Sequence, residues 1–421
     1  MGRYFAPSTH LFIYSAAHLS FPVHLAVFSQ YHTNPDCPAT SRHYSLLQHI
    51  ARQHRVTLIT TSTWERQRLT REYPWLPAGV DMLAADIPYH NRMGVAARGW
   101  AFLKYLGYAW RQGLRIARPD VIWGISTPLS AAWVAGQVAR QRRVPWVFEV
   151  QDLWPTFPIE MGAVRNPLAQ QQLYAAEHRL YQQARHIITL SPGMTDYVRG
   201  LGIAEDKLST ILNGTDLDQA ARATPAAVAA LRREHRLEGR PVVLYAGTFG
   251  RANDIPTLAQ AAEELYRQRP EVVWLFMGLG YYEPLLREAA GRCPAIRLVA
   301  PQPRHAVFTW LALADVSVVS FLSKPVLETN SPAKFYDSLA VGTPVVVTNP
   351  GWTKELVEKH RCGWYVPAEQ PAQLAERLAA VLSEPAALHA AGQRGQVVAR
   401  QQFDRQQLAA QVQLILERAA G

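Results

Sequence analysis

Cysteine is scarce in this chain, and uninterrupted apolar segments are short. The three cysteines, Cys37, Cys293 and Cys362, are far apart among 421 residues, which excludes a disulfide framework and the paired spacing of a zinc site. No apolar run reaches the roughly 18 to 20 residues of a membrane-spanning helix, because histidines, serines and a proline break the best candidate, Leu11–Val27. We therefore expect a cytoplasmic protein, peripheral at most on the inner face of the cell membrane.

Acidic residues are also few compared with basic ones. The chain has 33 Asp and Glu against 43 Lys and Arg, a formal net charge of +10, which suggests an anionic partner: nucleic acid, an acidic membrane or a phosphorylated substrate. No helix-turn-helix, zinc-finger or RNA-binding motif accompanies the charge, so we expect no nucleic-acid partner. The 48% hydrophobic content is enough for a large core.

Short apolar or β-branched runs alternate with longer helical patterns through the whole sequence. This alternation predicts an α/β fold with two doubly wound parallel sheets facing each other across a cleft. The first series of predicted strands is Val23–Phe28, Val56–Thr60, Val121–Gly124, Pro145–Val150 and His186–Leu190. The second series is Pro241–Ala246, Val272–Met277, Ile296–Ala300, Val316–Ser320 and Pro344–Val347.

These two series predict two domains and a returning C-terminal helix. We expect a first Rossmann-like domain over residues 23–208 and a second over residues 209–404. Residues 405–421 should form a helix that packs back on the first domain, and the residues before Val23 an appended tail.

Two glycine-containing loops follow the first two strands of the second series. In Tyr245–Gly250, Gly247 and Gly250 let backbone amides approach an anion, while Thr248, Arg251 and Asn253 supply polar groups beside them. In Met277–Gly280 the pair Gly278 and Gly280 lacks the third glycine of a dinucleotide fingerprint. We expect both loops to contact the ligand, although an ordinary strand-to-helix turn also explains the first.

The segment Glu328–Pro344 gathers charged residues at a predicted helix entrance. Ser331 can cap this helix and Pro332 suits its first position, which would leave free amides for a phosphate beside Lys334. A capped surface helix explains Ser331 and Pro332 equally well, but it does not explain why Glu328, Lys334 and Asp337 lie together.

Taken in order, these motifs resemble those of the family 4 glycosyltransferases. The resemblance covers Val23 to Phe403 and includes Leu212-Asn-Gly-Thr-Asp216, which is similar to the family's Asn-Gly-Val-Asp linker. Phe148–Pro155 and Leu190–Met194 resemble motifs of a branch that includes N-acetyl-L-fucosamine transferases of O-antigen and capsule assembly. Membership implies the GT-B fold and a retaining, metal-independent transfer from a nucleotide sugar to a lipid-linked (polyprenyl diphosphate) or glycan acceptor. We expect UDP as the nucleotide. No cofactor is implied.

The sequence departs from the family at several expected site positions. The family's glutamate pair, eight residues apart, falls here on Thr329 and Asp337, with Glu328 one residue off. The Arg and Lys that often bind the diphosphate fall on Thr248 and Asn253, and the first-domain histidine near Gln151.

The resemblance implies a role for each candidate residue. Asp152, Glu328 and Lys334 are the catalytic candidates: Asp152 faces the sugar or acceptor, Glu328 contacts sugar hydroxyls, and Lys334 binds the diphosphate. Asp337 is assigned to the ribose. The remaining donor-binding candidates are Gly247, Thr248, Gly250, Arg251, Asn253, Gly278, Gly280, Asn330, Ser331 and Pro332.

The stretch Arg92–Arg118 is rich in arginine and aromatic residues and contains no acidic residue. Such a segment suits contact with an anionic membrane surface, and an ordinary helix with its aromatic residues packed on the sheet explains it about as well. Three other functions stay open: another GT-B enzyme such as a UDP-sugar 2-epimerase, a catalytically inactive GT-B scaffold, and a basic nucleic-acid-binding protein.

Overall fold

The computed structural model describes residues 22–32, 37, 42–61, 75–89 and 93–421. The predicted N-terminal tail and Arg92 lie outside these residues. In the first part of the chain the elements are β1 (His24–Tyr31), α1 (Arg42–Ile50), β2 (Arg55–Thr61), β3 (Val80–Ala85), α2 (Val95–Arg115), β4 (Val121–Ile125), α3 (Leu129–Arg142), β5 (Trp146–Val150), α4 (Thr156–Glu160), α5 (Pro167–Gln183), β6 (His186–Thr189), α6 (Pro192–Gly200) and β7 (Leu208–Thr210).

The second part follows the same alternation of helices and strands. Its elements are α7 (Leu217–Ala220), α8 (Pro225–Glu234), β8 (Val242–Ala246), α9 (Ile255–Gln268), β9 (Val273–Met277), α10 (Glu283–Arg292), β10 (Ile296–Val299), α11 (Arg304–Leu313), β11 (Val316–Val319), α12 (Pro325–Glu328), α13 (Ala333–Ala340), β12 (Val345–Val347), α14 (Trp352–His360), β13 (Gly363–Tyr365), α15 (Pro371–Leu382), α16 (Pro385–Gln402) and α17 (Arg405–Ala420). Two short 3-10 turns, Glu205–Lys207 and Arg251–Asn253, complete the elements.

Two parallel sheets organise these elements. The first has the order β3-β2-β1-β4-β5-β6-β7 and the second the order β10-β9-β8-β11-β12-β13. Their central strands are completely buried, as in β4, β5, β8 and β9, because helices cover both faces and leave no side for polar residues. Each run predicted from the sequence forms a strand, so the predicted fold class is confirmed.

Three strands were not predicted from the sequence. Strand β3 has only one buried residue, and β7 and β13 are short and half-buried, so none of them shows the apolar run by which a central strand is recognised. Strand β7 pairs with β6 in the first sheet, which means that this sheet continues past the predicted boundary after residue 208.

The C-terminal helix returns to the first sheet. Leu408, Val412 and Leu416 of α17 are buried in the same cluster as Leu46 and Trp123. The chain leaves the first sheet after β7 and reaches the second through the linker 211–216, which α17 also contacts. In the ranges described, no helix is both long and apolar enough to cross a membrane.

Candidate active site between the sheets

The loops after β8 and β9 interlock through their backbones. Gly247, Gly278 and Gly280 have φ values of 145°, 150° and 156°, a region that side chains disfavour. A Cβ on Gly278 would lie 1.9 Å from the carbonyl oxygen of Gly247, and the Phe249 amide donates to the Leu279 carbonyl at 2.9 Å. These glycines bring two strand ends together, and Gly247 remains exposed at the surface they form.

Lys334 points its ammonium at this pair of loops. Its Nζ lies 3.9 Å from the centre of the Tyr245 ring, and a Cβ on Gly247 would be only 3.3 Å from it. The lysine as a whole is half-buried, but Nζ itself is shielded from solvent and has no hydrogen-bond partner in the described ranges of the chain. Burial lowers the pKa of Lys334 to about 7. A buried cation without an anion is costly, so this position is prepared for an anionic group.

The polar residues predicted in the first loop have different positions. Asn253 donates through Nδ2 to the Thr248 carbonyl at 2.8 Å, and its amide donates to Gly250 at 3.1 Å, so Asn253 holds the loop in shape. Thr248 and Arg251 are exposed, and the Arg251 guanidinium lies 4.1 Å from the centre of the Tyr281 ring. Arg251 is therefore available to a ligand on the outer side of the loop.

The predicted cap of α13 is wrong. The helix begins at Ala333, and its N-cap is Pro332, which has no side-chain cap. The Ser331 hydroxyl instead lies 2.5 Å from the Tyr336 hydroxyl, and its carbonyl accepts from Asn213 at 3.1 Å. The first amides of α13 have no partner within the helix, and Lys334 carries one of them.

Asp337 occupies a buried ion pair, which differs from its predicted contact with a ribose. The residue is 2% exposed; Arg304 donates to its Oδ1 at 2.7 Å, and Thr215 donates to the same atom at 2.7 Å. Both of its oxygens are engaged, since a second Arg304 nitrogen reaches Oδ2. Arg304 was missed, because an arginine at the start of an otherwise apolar helix gives no sign of its partner.

Segment 326–330 is held from both domains. The Glu160 carboxylate accepts from the Val326 amide at 3.2 Å, and the Ser191 hydroxyl donates to the Thr329 carbonyl. The Asn330 carbonyl accepts from the Trp352 ring nitrogen at 2.8 Å. Glu328, half-buried, ends α12 between these contacts. The loops after β5, β6 and β11 therefore meet, which places the carboxyl ends of both sheets around one cleft.

Asp152 and Gln151 stand on the first-domain side, immediately after β5. The Thr127 hydroxyl donates to Asp152 Oδ2 at 2.9 Å, and burial raises the pKa of Asp152. Gln151 Nε2 lies 3.2 Å from Glu149 Oε1 and 2.9 Å from His43 Nε2. Nothing in the sequence indicated the contact with His43, because His43 lies on α1, 108 residues away.

Glu149, in strand β5 two residues before Gln151, is fully buried. Burial alone would raise its pKa, but Arg42 at 3.1 Å and His43 lower the pKa to about 2. Arg42 also donates to the linker carbonyl of Leu212 at 2.6 Å. This charged pair therefore connects the cleft side of the first sheet to the linker between the two sheets.

Asp216 and Asp218 form a D-x-D pattern but serve the linker. Asp216 accepts from Arg405 at 2.6 Å and from Ser45 at 2.7 Å, and Asp218 accepts from Gln406 at 2.8 Å. Among the described residues, no group of three or more His, Cys, Asp or Glu side chains is arranged to hold a metal ion.

Two family profiles match the chain, one for each sheet. The profile described as "Glycosyl transferase 4-like domain" matches residues 39–214, and that described as "Glycosyl transferases group 1" matches residues 240–384. Together they include both sides of the cleft.

The chain spans about three fifths of the length of one curated relative and half of the length of another. D-inositol 3-phosphate glycosyltransferase 2 of Catenulispora acidiphila is 26% identical over 270 residues, which are 60% of this chain and 61% of the relative. The putative colanic acid biosynthesis glycosyltransferase WcaL of Escherichia coli is 24% identical over 218 residues, 49% of this chain and 50% of the relative.

Solved structures share the fold over nearly the whole length. HepE of Anabaena in complex with UDP superposes with a TM-score of 0.68 at 14% identity, covering 94% of this chain and 100% of that protein. The complex of HepE with UDP-glucose gives the same TM-score, 0.68, and the same coverage.

Proposed function

Because the chain belongs to the glycosyltransferases of the GT-B fold, we propose that it moves a sugar from a nucleotide-sugar donor, with UDP as the nucleotide, to a lipid-linked or glycan acceptor in cell-surface polysaccharide biosynthesis. The proposed transfer retains the anomeric configuration and needs no metal. WcaL, a relative named for colanic acid biosynthesis, supports the role in polysaccharide biosynthesis. HepE, solved with UDP and UDP-glucose, supports the donor.

The main support for this proposal is the Lys334 ammonium, which lies beside the two glycine-containing loops after β8 and β9. Among the described residues, Nζ has no hydrogen-bond partner, and it lies against the exposed backbone of Gly247. A diphosphate there would pair with Lys334 and accept from the free amides at the start of α13. In the proposed mechanism these groups would supply the positive charge that a metal ion supplies in other transferases.

The same geometry suggests how transfer would proceed. In a retaining transfer of this kind, the leaving phosphate takes the acceptor proton, so the protein mainly positions both substrates and stabilises the negative charge that develops. Lys334 is placed for that stabilisation. Asp152 approaches from the first domain and Glu328 from the second, where each would hold hydroxyls of the sugar or the acceptor.

Nucleotide binding is the first test of this function. UDP and UDP-glucose should raise the melting temperature and GDP should not; failure of every nucleotide to stabilise the chain would remove the transferase site. Turnover of the donor without any acceptor, giving an epimerised nucleotide sugar, would favour the epimerase alternative. Activity that survives EDTA and a product with the anomeric configuration of the donor, seen by NMR, are the expected results for the mechanism.

Helix α2 supports a membrane-linked acceptor. Its outer face exposes Trp100 (60%) and Leu103 (58%), and Lys104 lies 5.8 Å from the Trp100 ring. Exposed Arg111 continues this face. Aromatic, aliphatic and cationic groups on one helix face suit the interface of an anionic bilayer.

The aromatic residues of this segment divide into two sets. Tyr105 is completely buried and packs inward, as the alternative of an ordinary helix predicts, so only part of the predicted aromatic surface is available. In flotation with anionic vesicles, the double variant Trp100→Ser/Leu103→Ser should lose binding. Trp133→Ser, which changes an exposed tryptophan on α3, should bind like the wild type. Equal flotation of all three proteins would remove the membrane proposal.

A further inference from the structure

Four aromatic rings form a row beside the first-domain side of the cleft. Tyr31, at the end of β1, lies 4.7 Å from Tyr89 between ring centres. Tyr89 lies 6.0 Å from Phe102 of α2, and Phe102 lies 6.2 Å from Trp154. All four are half-buried, so each ring is partly covered by protein and partly accessible. We call these four residues the aromatic row.

Buried polar groups without partners accompany the row. Gln30 is 1% exposed and His32 is 6% exposed. Within the part of the chain that the structure describes, neither the side-chain amide of Gln30 nor either ring nitrogen of His32 has a hydrogen-bond partner. The ring nitrogen of Trp154 is also buried and has no hydrogen-bond partner among the residues described. Leaving a buried polar group unpaired costs about 1–3 kcal/mol, and such groups in native proteins call for an explanation.

These groups lie next to residues already placed at the cleft. Gln30 and His32 flank Tyr31 at the carboxyl end of β1, and Trp154 follows Asp152 by two positions. His32 stacks on Trp75 with 5.9 Å between ring centres, and Trp75 lies 6.2 Å from Tyr44, the neighbour of His43. His43 in turn contacts Gln151. The unpaired groups are therefore continuous with the side of the cleft that carries Asp152.

Their chemistry suits a carbohydrate. Burial, and secondarily His43, lower the pKa of His32 to about 3, so the imidazole is neutral and can donate from one nitrogen and accept at the other. The Gln30 amide and the Trp154 ring nitrogen are neutral as well. Hydroxyl groups pair with such donors and acceptors, while the apolar face of a pyranose ring packs on aromatic rings. Arg98, 5.9 Å from the centre of the Tyr89 ring, is the cation placed against the row.

We propose that Gln30, His32 and Trp154, together with the aromatic row, form the subsite that holds the sugar ring of the acceptor. The inference rests on the proposed transferase function, since it names the acceptor class of that same cleft. Gln30 and His32 would determine acceptor specificity, because their side chains would form hydrogen bonds with the hydroxyls of the bound acceptor.

A substitution series separates this role from a structural one. Gln30→Met and His32→Phe remove the polar atoms at similar volume, and Trp154→Phe removes the donor while keeping a ring. Each should weaken binding of p-nitrophenyl glycosides of glucose, galactose and N-acetylglucosamine about tenfold, the effect of one lost hydrogen bond of roughly 1.4 kcal/mol. Binding is measured on the full chain by saturation-transfer NMR.

Stability supplies the second readout. Because the side-chain polar atoms of Gln30 and His32 have no hydrogen-bond partner among the described residues, their apolar replacements should keep or raise the melting temperature while glycoside binding weakens. Gln413→Met is the matched control: this buried glutamine donates to Gln53 at 3.0 Å and to Glu417 at 2.8 Å, so its loss should lower the melting temperature and leave glycoside binding unchanged.

The outcomes distinguish the subsite from the proposed function. Glycoside binding by Gln30→Met and His32→Phe at wild-type strength overturns the subsite, as does a wild type that binds none of the glycosides at tens of millimolar or binds inorganic phosphate there instead. UDP binding by the variants should equal that of the wild type. If the wild type binds glycosides but no UDP, the transferase function fails, and the subsite with it as an acceptor site.

Discussion

The Lys334 ammonium lies 3.9 Å from the centre of the Tyr245 ring, and none of the described residues forms a hydrogen bond with it. The ring face offers some compensation for a cation, but burial still lowers the pKa of Lys334 from 10.5 to about 7. The free protein therefore holds this lysine largely neutral above pH 7. A bound diphosphate would restore its charge, which connects donor binding to proton uptake.

Donor affinity should therefore decrease as the pH rises above about 7. In that range the free protein must take up a proton on Lys334 to bind, so affinity falls by up to about tenfold per pH unit. Calorimetry with UDP-glucose in two buffers of different ionisation enthalpy should show uptake of about one proton at pH 8.5. The diphosphate of this ligand keeps its charge throughout the range.

Two variants complete the test of Lys334. Lys334→Ala should lose most donor binding, while Lys359→Ala, an exposed lysine on α14, should bind normally. Donor affinity that stays constant as the pH rises above about 7, or wild-type donor affinity in Lys334→Ala, would show that another group supplies the positive charge for the diphosphate.

The sequence was sufficient to predict the sheets, and it identified Lys334 as a candidate, but it did not reveal the partners of the candidate residues. Buried parallel strands can be recognised in a sequence because both of their faces are apolar. Lys334 follows a loop whose sequence resembles a family motif. The contact of Asp337 with Arg304 and that of Gln151 with His43 could not be predicted, because the partner in each pair lies on a helix far away in sequence. Ser331 was misassigned for a local reason: its hydroxyl has a competing partner in Tyr336.

Removal of Arg304 should strongly destabilise the second domain. Arg304→Ala would leave the carboxylate of Asp337, 2% exposed, without its cation, and breaking a buried pair in this way costs about 3–5 kcal/mol. Asp337→Asn should cost less, because an amide carbonyl can still accept from Thr215 and Arg304. Urea unfolding measures both. If the free energy of unfolding decreased by the same small amount in both variants, the ion pair between Arg304 and Asp337 would not be required for stability.

Gly278 should tolerate no side chain. Gly278→Ala places a Cβ 1.9 Å from the Gly247 carbonyl at a φ of +150°, so the two loops must separate, at a cost of at least about 1–3 kcal/mol from backbone strain alone. UDP binding should fall with it, because Gly247 moves away from Lys334. Gly291→Ala is the control: nothing lies within 4 Å of its Cβ, and in helix α10 the change should stabilise by up to about 1 kcal/mol. Normal UDP binding by Gly278→Ala would exclude the loops from the donor site.

Glu177 should make the stability of the first domain depend on pH. Burial raises its pKa from 4.5 to about 7, although hydrogen bonds from Tyr181 at 2.8 Å and Tyr197 at 3.0 Å act in the opposite direction. The folded state therefore binds a proton that the unfolded state releases between pH 4.5 and 7. The stabilisation is complete below pH 4.5 and is lost as the pH rises to about 7, by roughly 3 kcal/mol at most.

Glu177→Gln isolates this contribution, because glutamine stays neutral at every pH. The variant should show a flatter stability profile between about pH 5 and pH 8, and it should match or exceed the wild type at the upper end, where the wild-type carboxylate is charged and buried. One tyrosine hydroxyl loses its acceptor in the variant, which offsets the gain by about 1 kcal/mol. Glu234→Gln, at an exposed position of α8, is the control for general charge effects. Urea unfolding across this pH range measures how steeply the free energy of unfolding changes with pH. A dependence as steep in Glu177→Gln as in the wild type would show that another group titrates.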